Sequence, residues 1–245
     1  MRLEATALLD LITTATSKDE AERNASVALL PVGSFEQHGD FLPLATDTII
    51  ASVIAREIAK TYPVFVLPPI TISCSHEHAA WRGTVSISAR TLHQVVTDIA
   101  DSLAASGVHR LVLISGHGGN YILSNVAQEA SVEGPRIAVY PHVSDWDRAR
   151  THAGLESGRH EDMHAGEIET SILLATYPEI VRQGNETADW TADERPHLLT
   201  LGMTAYTKSG VIGRPSLGNS NKGARVLASL MQSFESLLAV LERPG

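Results

Sequence analysis

Residues 26–62 read "SVALLPVGSFEQHGDFLPLATDTIIASVIAREIAKTY". The run 26–33 is apolar without alternation, short and closed by a glycine, which is the pattern of a parallel strand buried on both faces. From Asp47 the period changes. Ile50, Val53, Ile54 and Ile58 recur at offsets of three, four and eight, marking one face of a helix over about 47–62. Between strand and helix lie Glu36, His38 and Asp47, three chemistry-bearing side chains within twelve positions.

Working outward, the same strand pattern returns in "PVFVLPPI" (63–70), "RLVLISG" (110–116) and "RIAVYPH" (136–142). Helical patterns separate these runs. Leu92, Val95, Val96, Ile99 and Leu103 share a face over 91–107, which closes on Gly107; further helices are expected after Asn120, over about 166–176 and over about 221–242. Strands alternating with helices indicate an α/β fold with right-handed crossovers. The expectation is a single domain, 1–245, around a mostly parallel central sheet flanked by helices on both faces. Ligands in such sheets bind at the carboxyl ends of the strands.

The 245 residues are 43% hydrophobic and 19% charged, with a formal net charge of −9. No basic stripe is present, which argues against a nucleic-acid partner. Cys74 is the only cysteine, so an internal disulfide and a thiolate zinc cluster are excluded; it reads as a small buried residue. The start, "RLEATALLDLITTA", reads as an amphipathic helix and not as a secretory signal. No apolar run approaches the roughly 18 residues of a membrane span, so no membrane partner and a cytoplasmic location are expected.

Three clusters carry the chemistry. Glu36 and His38 point the same way in an extended segment, and Asp47 opens the next helix. "SGHGGN" (115–120) follows the third strand run, its glycines permitting sharp turns around His117. "DMHAGEIETS" (162–171) places His164 before a helix, with Glu167 and Glu169 just after. Mixed imidazole and carboxylate donors suit zinc, manganese or iron(II). An aspartate can bridge two such ions, and a pair about 3.5–4 Å apart can hold and ionise a hydroxide that attacks a carbonyl carbon. His164 would then give a proton to the leaving nitrogen. Plainer readings stand beside these. Asp47 alone would serve as a helix cap, "GHGGN" as a turn or anion nest, and His93, His109, His152, His160 and His197 as solvated polar groups.

"PVGSFEQHGDFLPLATDT", "SGHGGN" and "HAGEIETS", in this order, resemble the creatininase family of metal-dependent amidohydrolases. "HEHAAWRGTVSIS" (76–88) extends the likeness, and "GVIGRPSLGNSNKG" (210–223) echoes it more weakly. The resemblance implies a compact α/β domain with a metal pair (Zn, Mn or Fe), hexamers built from dimers, and hydrolysis of a non-standard linear or cyclic amide through a metal-bridging hydroxide. Known family reactions are creatinine ring opening, a deformylation in flavin and deazaflavin synthesis, and trimming of the mycofactocin precursor peptide. That last activity is the alternative reading here, and a catalytically silent metal-binding protein is a second. By the resemblance Glu36, His38, Asp47, His117 and Glu169 are metal ligands, Asp47 bridging, and His164 acts with Glu169 in catalysis. His76, His78, Trp81, Arg82, Gly118 and Asn120 are placed as substrate-binding residues, though Arg82 also reads as a plain surface arginine. Gly119 stands where creatininase has a glutamate, which weakens creatinine as a substrate and leaves one metal or two open. Asp40, Phe41 and His76 also depart from common family residues, which points to an unusual substrate.

Overall fold

The structure is a computed structural model and describes residues 13–243; most of the N-terminal helix expected from the sequence lies outside them. Four strands form one parallel sheet: β1 (Val27–Val32), β2 (Phe65–Val66), β3 (Arg110–Ser115) and β4 (Ile137–Tyr140), in the order β2-β1-β3-β4. β1 and β3 pair over their full length, from Val27 with Arg110 to Val32 with Ser115. β2 is shorter than its apolar run, with only an isolated bridge from Ile70 to Val32 beyond it. Pro63, Pro68 and Pro69 have no N–H for a ladder, which confines this segment to the sheet edge.

The helices are α1 (Ser17–Arg23), α2 (Thr46–Ala59), α3 (Ala89–Ala105), α4 (Ile122–Ala130), α5 (Val143–Ala153), α6 (Glu167–Thr176), α7 (Leu198–Leu201) and α8 (Ser220–Leu241). Alternate strand residues feed two cores. Val27, Leu29, Val112 and Ile114 pack with α2, α5, α6 and α8 on one face. Ala28, Leu30, Val32, Leu111 and Leu113 pack with α3 and α4 on the other. Both faces are covered, as continuous apolar strands require.

α5 went unread in the sequence. The buried residues of α5 are Asp145, Ala149, Arg150 and Ala153, too weak an apolar stripe to show as a period. Its start was legible in another way, because Asp145 closes a capping box on the His142 backbone. α8 is the one helix among the described residues long and apolar enough to cross a membrane, with mean hydropathy 1.3. Serine and alanine interleave with its leucines, and its bounds match the helix expected over about 221–242. It buries Val226, Leu227, Leu230 and Phe234 as a core helix.

The chain leaves β1 toward β2 on one side and returns to β3 on the other. The carboxyl ends of β1 and β3 are therefore a topological switch point, where open α/β sheets build their sites. A Cβ at Gly33 would collide with the backbone of Thr48, and one at Gly116 with the Asp47 carbonyl. Glycine at both strand ends lets the start of α2 press between them and deliver Asp47 into the crevice.

Candidate metal centre

Glu36, His38 and Asp47 meet at this switch point with His117 and His164, all five buried. Asp47 is no helix cap: Ala45 holds the cap position of α2 without a side-chain bond. Its two oxygens face two different donor sets. Oδ2 lies 3.2 Å from His117 Nδ1, which in turn is 3.3 Å from Glu36 Oε1. Oδ1 lies 3.1 Å from His38 Nε2, which is 3.9 Å from Glu169 Oε1. Glu36, Asp47 and His117 form one group of converging donor atoms, and His38, His164 and Glu169 another.

The far nitrogen of each imidazole is tied to a backbone carbonyl. His38 Nδ1 donates to Glu36 O (3.1 Å), His117 Nε2 to Cys74 O (2.9 Å) and His164 Nε2 to Gln37 O (2.6 Å). A carbonyl only accepts, so each neutral ring turns a lone pair inward. This is how ligating histidines are oriented. Ser34 Oγ donates to Glu36 Oε2 (2.7 Å), leaving Oε1 to the site. Glu36 Oε1 and Asp47 Oδ2 are buried without any hydrogen bond. Two unsatisfied carboxylate oxygens facing an imidazole lone pair are costly to bury without a cation between them. The donor set fits a divalent metal.

Without metal, protons must occupy the same space. Burial disfavours the imidazolium of His117, yet Glu36, Asp47 and Glu77 push it up to about 10. Burial is likewise outweighed at His38 by Asp47, Glu169 and Glu36, which raise it to about 9. Burial and the Asp47 charge lift Glu36 to about 7. Burial, with Asp47 and Asp162, also lifts Glu169 to about 7, against the pull of His38. Asp47 itself stays ionised: burial opposes its charge, but His38 and His117 hold it below the usual carboxylate range.

His164 and His78 go the other way. Burial, then the charges on neighbouring histidines, pushes His78 down to about 3 and His164 well below its ordinary value. Gln37 fixes both rings. Its Oε1 accepts from Gly39 N and its Nε2 donates to Gly210 O, each at 3.0 Å, which sets the amide orientation. The Nε2 group therefore donates to His78 Nδ1 (2.9 Å), which leaves the proton of His78 on Nε2, 3.3 Å from Glu36 Oε1 without a hydrogen bond between them. His164 instead presents the lone pair of Nδ1, 3.7 Å from the same oxygen.

The third motif divides into two tasks. His164 is held by an antiparallel bridge to Ile212, within the weaker echo segment. Glu169 Oε2 accepts from Ala165 N (2.6 Å), which leaves Oε1 toward His38. Asp162 accepts from Glu167 N (2.6 Å) and Ile168 N (3.1 Å) at the start of α6, and pairs with Arg150 at 2.7 Å. Glu167 faces away, bound by Lys222 (2.6 Å) and the Ser157 amide (2.8 Å).

The remaining expected residues lie around this centre. Asn120 is buried, and its amide braces Gly33 O and Cys74 N, so it is engaged by the scaffold. Gly118 and Arg82 are exposed, and Trp81 is half-buried with its ring 6.4 Å from that of His78. His76 lines a cleft beside His117, with Glu77, Gly119 and Tyr121. Cys74 is buried and contributes its carbonyl. None of His93, His109, His152, His160 or His197 joins a donor group. Gln37, Ser34, Asp162, Arg150 and Glu77 were missed. Gln37 carried a signal: it alternates with Glu36 and His38, so its side chain had to point to their other side.

A family model described as "Creatininase: Creatinine amidohydrolase" matches residues 12–238. The chain is 34% identical to a mycofactocin precursor peptide peptidase of Mycobacterium ulcerans (strain Agy99) over 224 residues, 86% of this chain and 84% of that protein. It is 28% identical to a creatinine amidohydrolase of Pseudomonas putida over 174 residues, 63% of this chain and 66% of that one. A solved structure described as "Creatininase Mn" superposes with a TM-score of 0.80 at 23% identity, over 94% of this chain and 98% of that chain.

Proposed function

Because this chain belongs to the creatininase family, hydrolases of carbon–nitrogen bonds, we propose that it hydrolyses an amide at the two donor sets that share Asp47. Glu36, Asp47 and His117 would hold one divalent metal, and His38, Asp47 and Glu169 a second; manganese is the first choice, after the name of one structural neighbour. Such a pair supplies a Lewis acid for the carbonyl oxygen and an ionised water at neutral pH. The observation that carries this reading is the divergence of the Asp47 oxygens, one toward each histidine.

The chain's own groups supply the proton chemistry. His164 is neutral with a lone pair on Nδ1, so it can accept a proton within the site and pass it to the leaving nitrogen. His78 presents an N–H and serves as a donor near Glu36. The walls exclude water from Glu36, His38 and Asp47, which strengthens each of these interactions.

A peptide substrate is the second reading, favoured by the 34% identity to the peptidase. A homohexamer and a cytoplasmic location complete the proposal. The first test is elemental analysis of wild type and Asp47→Ala purified without chelator, followed by an amide and peptide panel. About two equivalents in wild type and none in the variant are expected. No metal in wild type, even after soaking with manganese or zinc, overturns the reading.

A further inference from the structure

The side chain of Glu77 is only 11% exposed, and its Oε1 lies 3.7 Å from His117 Nε2. It accepts no hydrogen bond from a side chain or backbone N–H, and His117 is its one ion-pair partner among the described residues. That partnership is poor, because the His117 Nε2–H is already spent on the Cys74 carbonyl. Nor does Glu77 belong to any of the three groups of converging donor atoms, the third being Glu36, His78 and His164: it sits at the Nε2 edge of the ring, whereas Nδ1 faces Glu36 and Asp47.

Space at this point is tightly allotted. A Cβ at Gly119 would collide with Glu77 Oε1 and with His117 Nε2. Glycine at 119 thus leaves room for the carboxylate of Glu77 to stand beside the metal ligand. The cleft in front of it is lined by Cys74, Tyr121, Ile122 and Leu199, largely apolar surfaces, with the His76 imidazole and the Tyr121 hydroxyl as further polar groups. A mostly buried carboxylate without a protein N–H donor, opening on a largely apolar cleft, suits an N–H donor from a ligand.

We propose that Glu77 is the substrate-recognition carboxylate of this site, binding a cationic, N–H-rich end of the substrate whose apolar part lies against Tyr121 and Leu199. The proposal rests on the cleft being the entrance to the hydrolytic centre. Planar amidinium or guanidinium groups suit it best, because two parallel N–H bonds match a carboxylate fork. An N-terminal or lysine-type ammonium satisfies the same chemistry with less geometric demand.

The test uses benzamidinium and benzamide, which share shape and differ in charge, titrated by ligand-observed NMR against the manganese-loaded protein. Wild type is expected to bind benzamidinium about tenfold more tightly than benzamide, on the scale of one charge-assisted pair. Glu77→Gln should bring the two together with metal content unchanged, and Gly119→Ala should weaken the preference by displacing Glu77. Equal binding by wild type, or a preference that survives Glu77→Gln, overturns the proposal. Loss of metal in Glu77→Gln also overturns it, since Glu77 would then be a brace of the metal centre. Failure of the metal-loaded wild type to cleave any amide would sink the hydrolase reading alone, because the benzamidinium preference is read by binding.

Discussion

The two donor sets around Asp47 are built differently. Glu36 and His117 follow directly from β1 and β3, neighbours paired over six residues, and with Asp47 they meet at 3.2–3.3 Å. Glu169 comes from a helix start beyond a long connection, is 18% exposed and stands 3.9 Å from His38. The sheet pre-assembles the first set; the second depends on the loop leading to α6. Preorganisation lowers the cost of binding, so the first set should hold metal more tightly and the second should load last.

Substitution on each side breaks the comparison most directly. His117→Ala is expected to abolish turnover by at least about a thousandfold and to lose the tightly held equivalent. Glu169→Gln should retain that equivalent and lose only the weaker one. Metal titration by calorimetry distinguishes them, and equal losses in the two variants would refute the ranking.

Asp162→Asn sharpens the same contrast from a distance. Asp162 caps the first turn of α6 and neutralises Arg150, both buried. Removing one partner of a buried pair costs about 3–5 kcal/mol, read as a lowered midpoint in denaturant. The surviving protein should bind the first metal normally and the second poorly.

These contrasts also show what could be read from sequence. β1, β3 and the helix carrying Asp47 were legible because burial on both faces leaves an unbroken apolar run and a helix leaves a period. The donors were legible because they cluster after strand ends. Long-range partners were not. Nothing in the order of residues says that Asp162 meets Arg150, that Gln37 reaches His78 forty-one positions away, or that Glu77 fills the space beside Gly119. Position 63–70 was read too long because its apolar character outweighed its prolines. Glu167 and Glu169 looked alike two residues apart, yet on a helix they lie about 200° apart around the axis, so only one can face the site.

Gln37→Met should have a smaller effect. It preserves volume but removes the bonds to His78 and Gly210. Loss of such supporting contacts typically costs about 10–100-fold. The drop should appear in kcat with metal content intact, because the first donor set does not depend on the Gln37 side chain. Loss of metal instead would show that His78 helps to hold Glu36 in place.

The mildest probe is pH. In the metal-free protein His38 is raised to about 9 and His117 to about 10, from ordinary values near 6.5. Glu36 and Glu169 are raised to about 7 from near 4.5. All four bind more protons folded than unfolded, so their combined contribution to stability falls as pH rises. The histidine part is whole below about pH 6.5 and is lost through pH 9–10; the glutamate part is lost between about 4.5 and 7. His78 and His164, both depressed, act in the opposite sense and only below about pH 6.5. Metal takes the place of the site protons, so its stabilisation grows with pH. The gap in Tm between manganese-loaded and metal-stripped protein should therefore widen steadily from pH 6.5 to 9 by scanning calorimetry. In Glu169→Gln it should widen less, because one raised carboxylate and the weaker metal are both gone. A gap independent of pH would mean that the histidines of the stripped protein are neutral, and that the unsatisfied oxygens of Glu36 and Asp47 are met by something other than a proton or a metal.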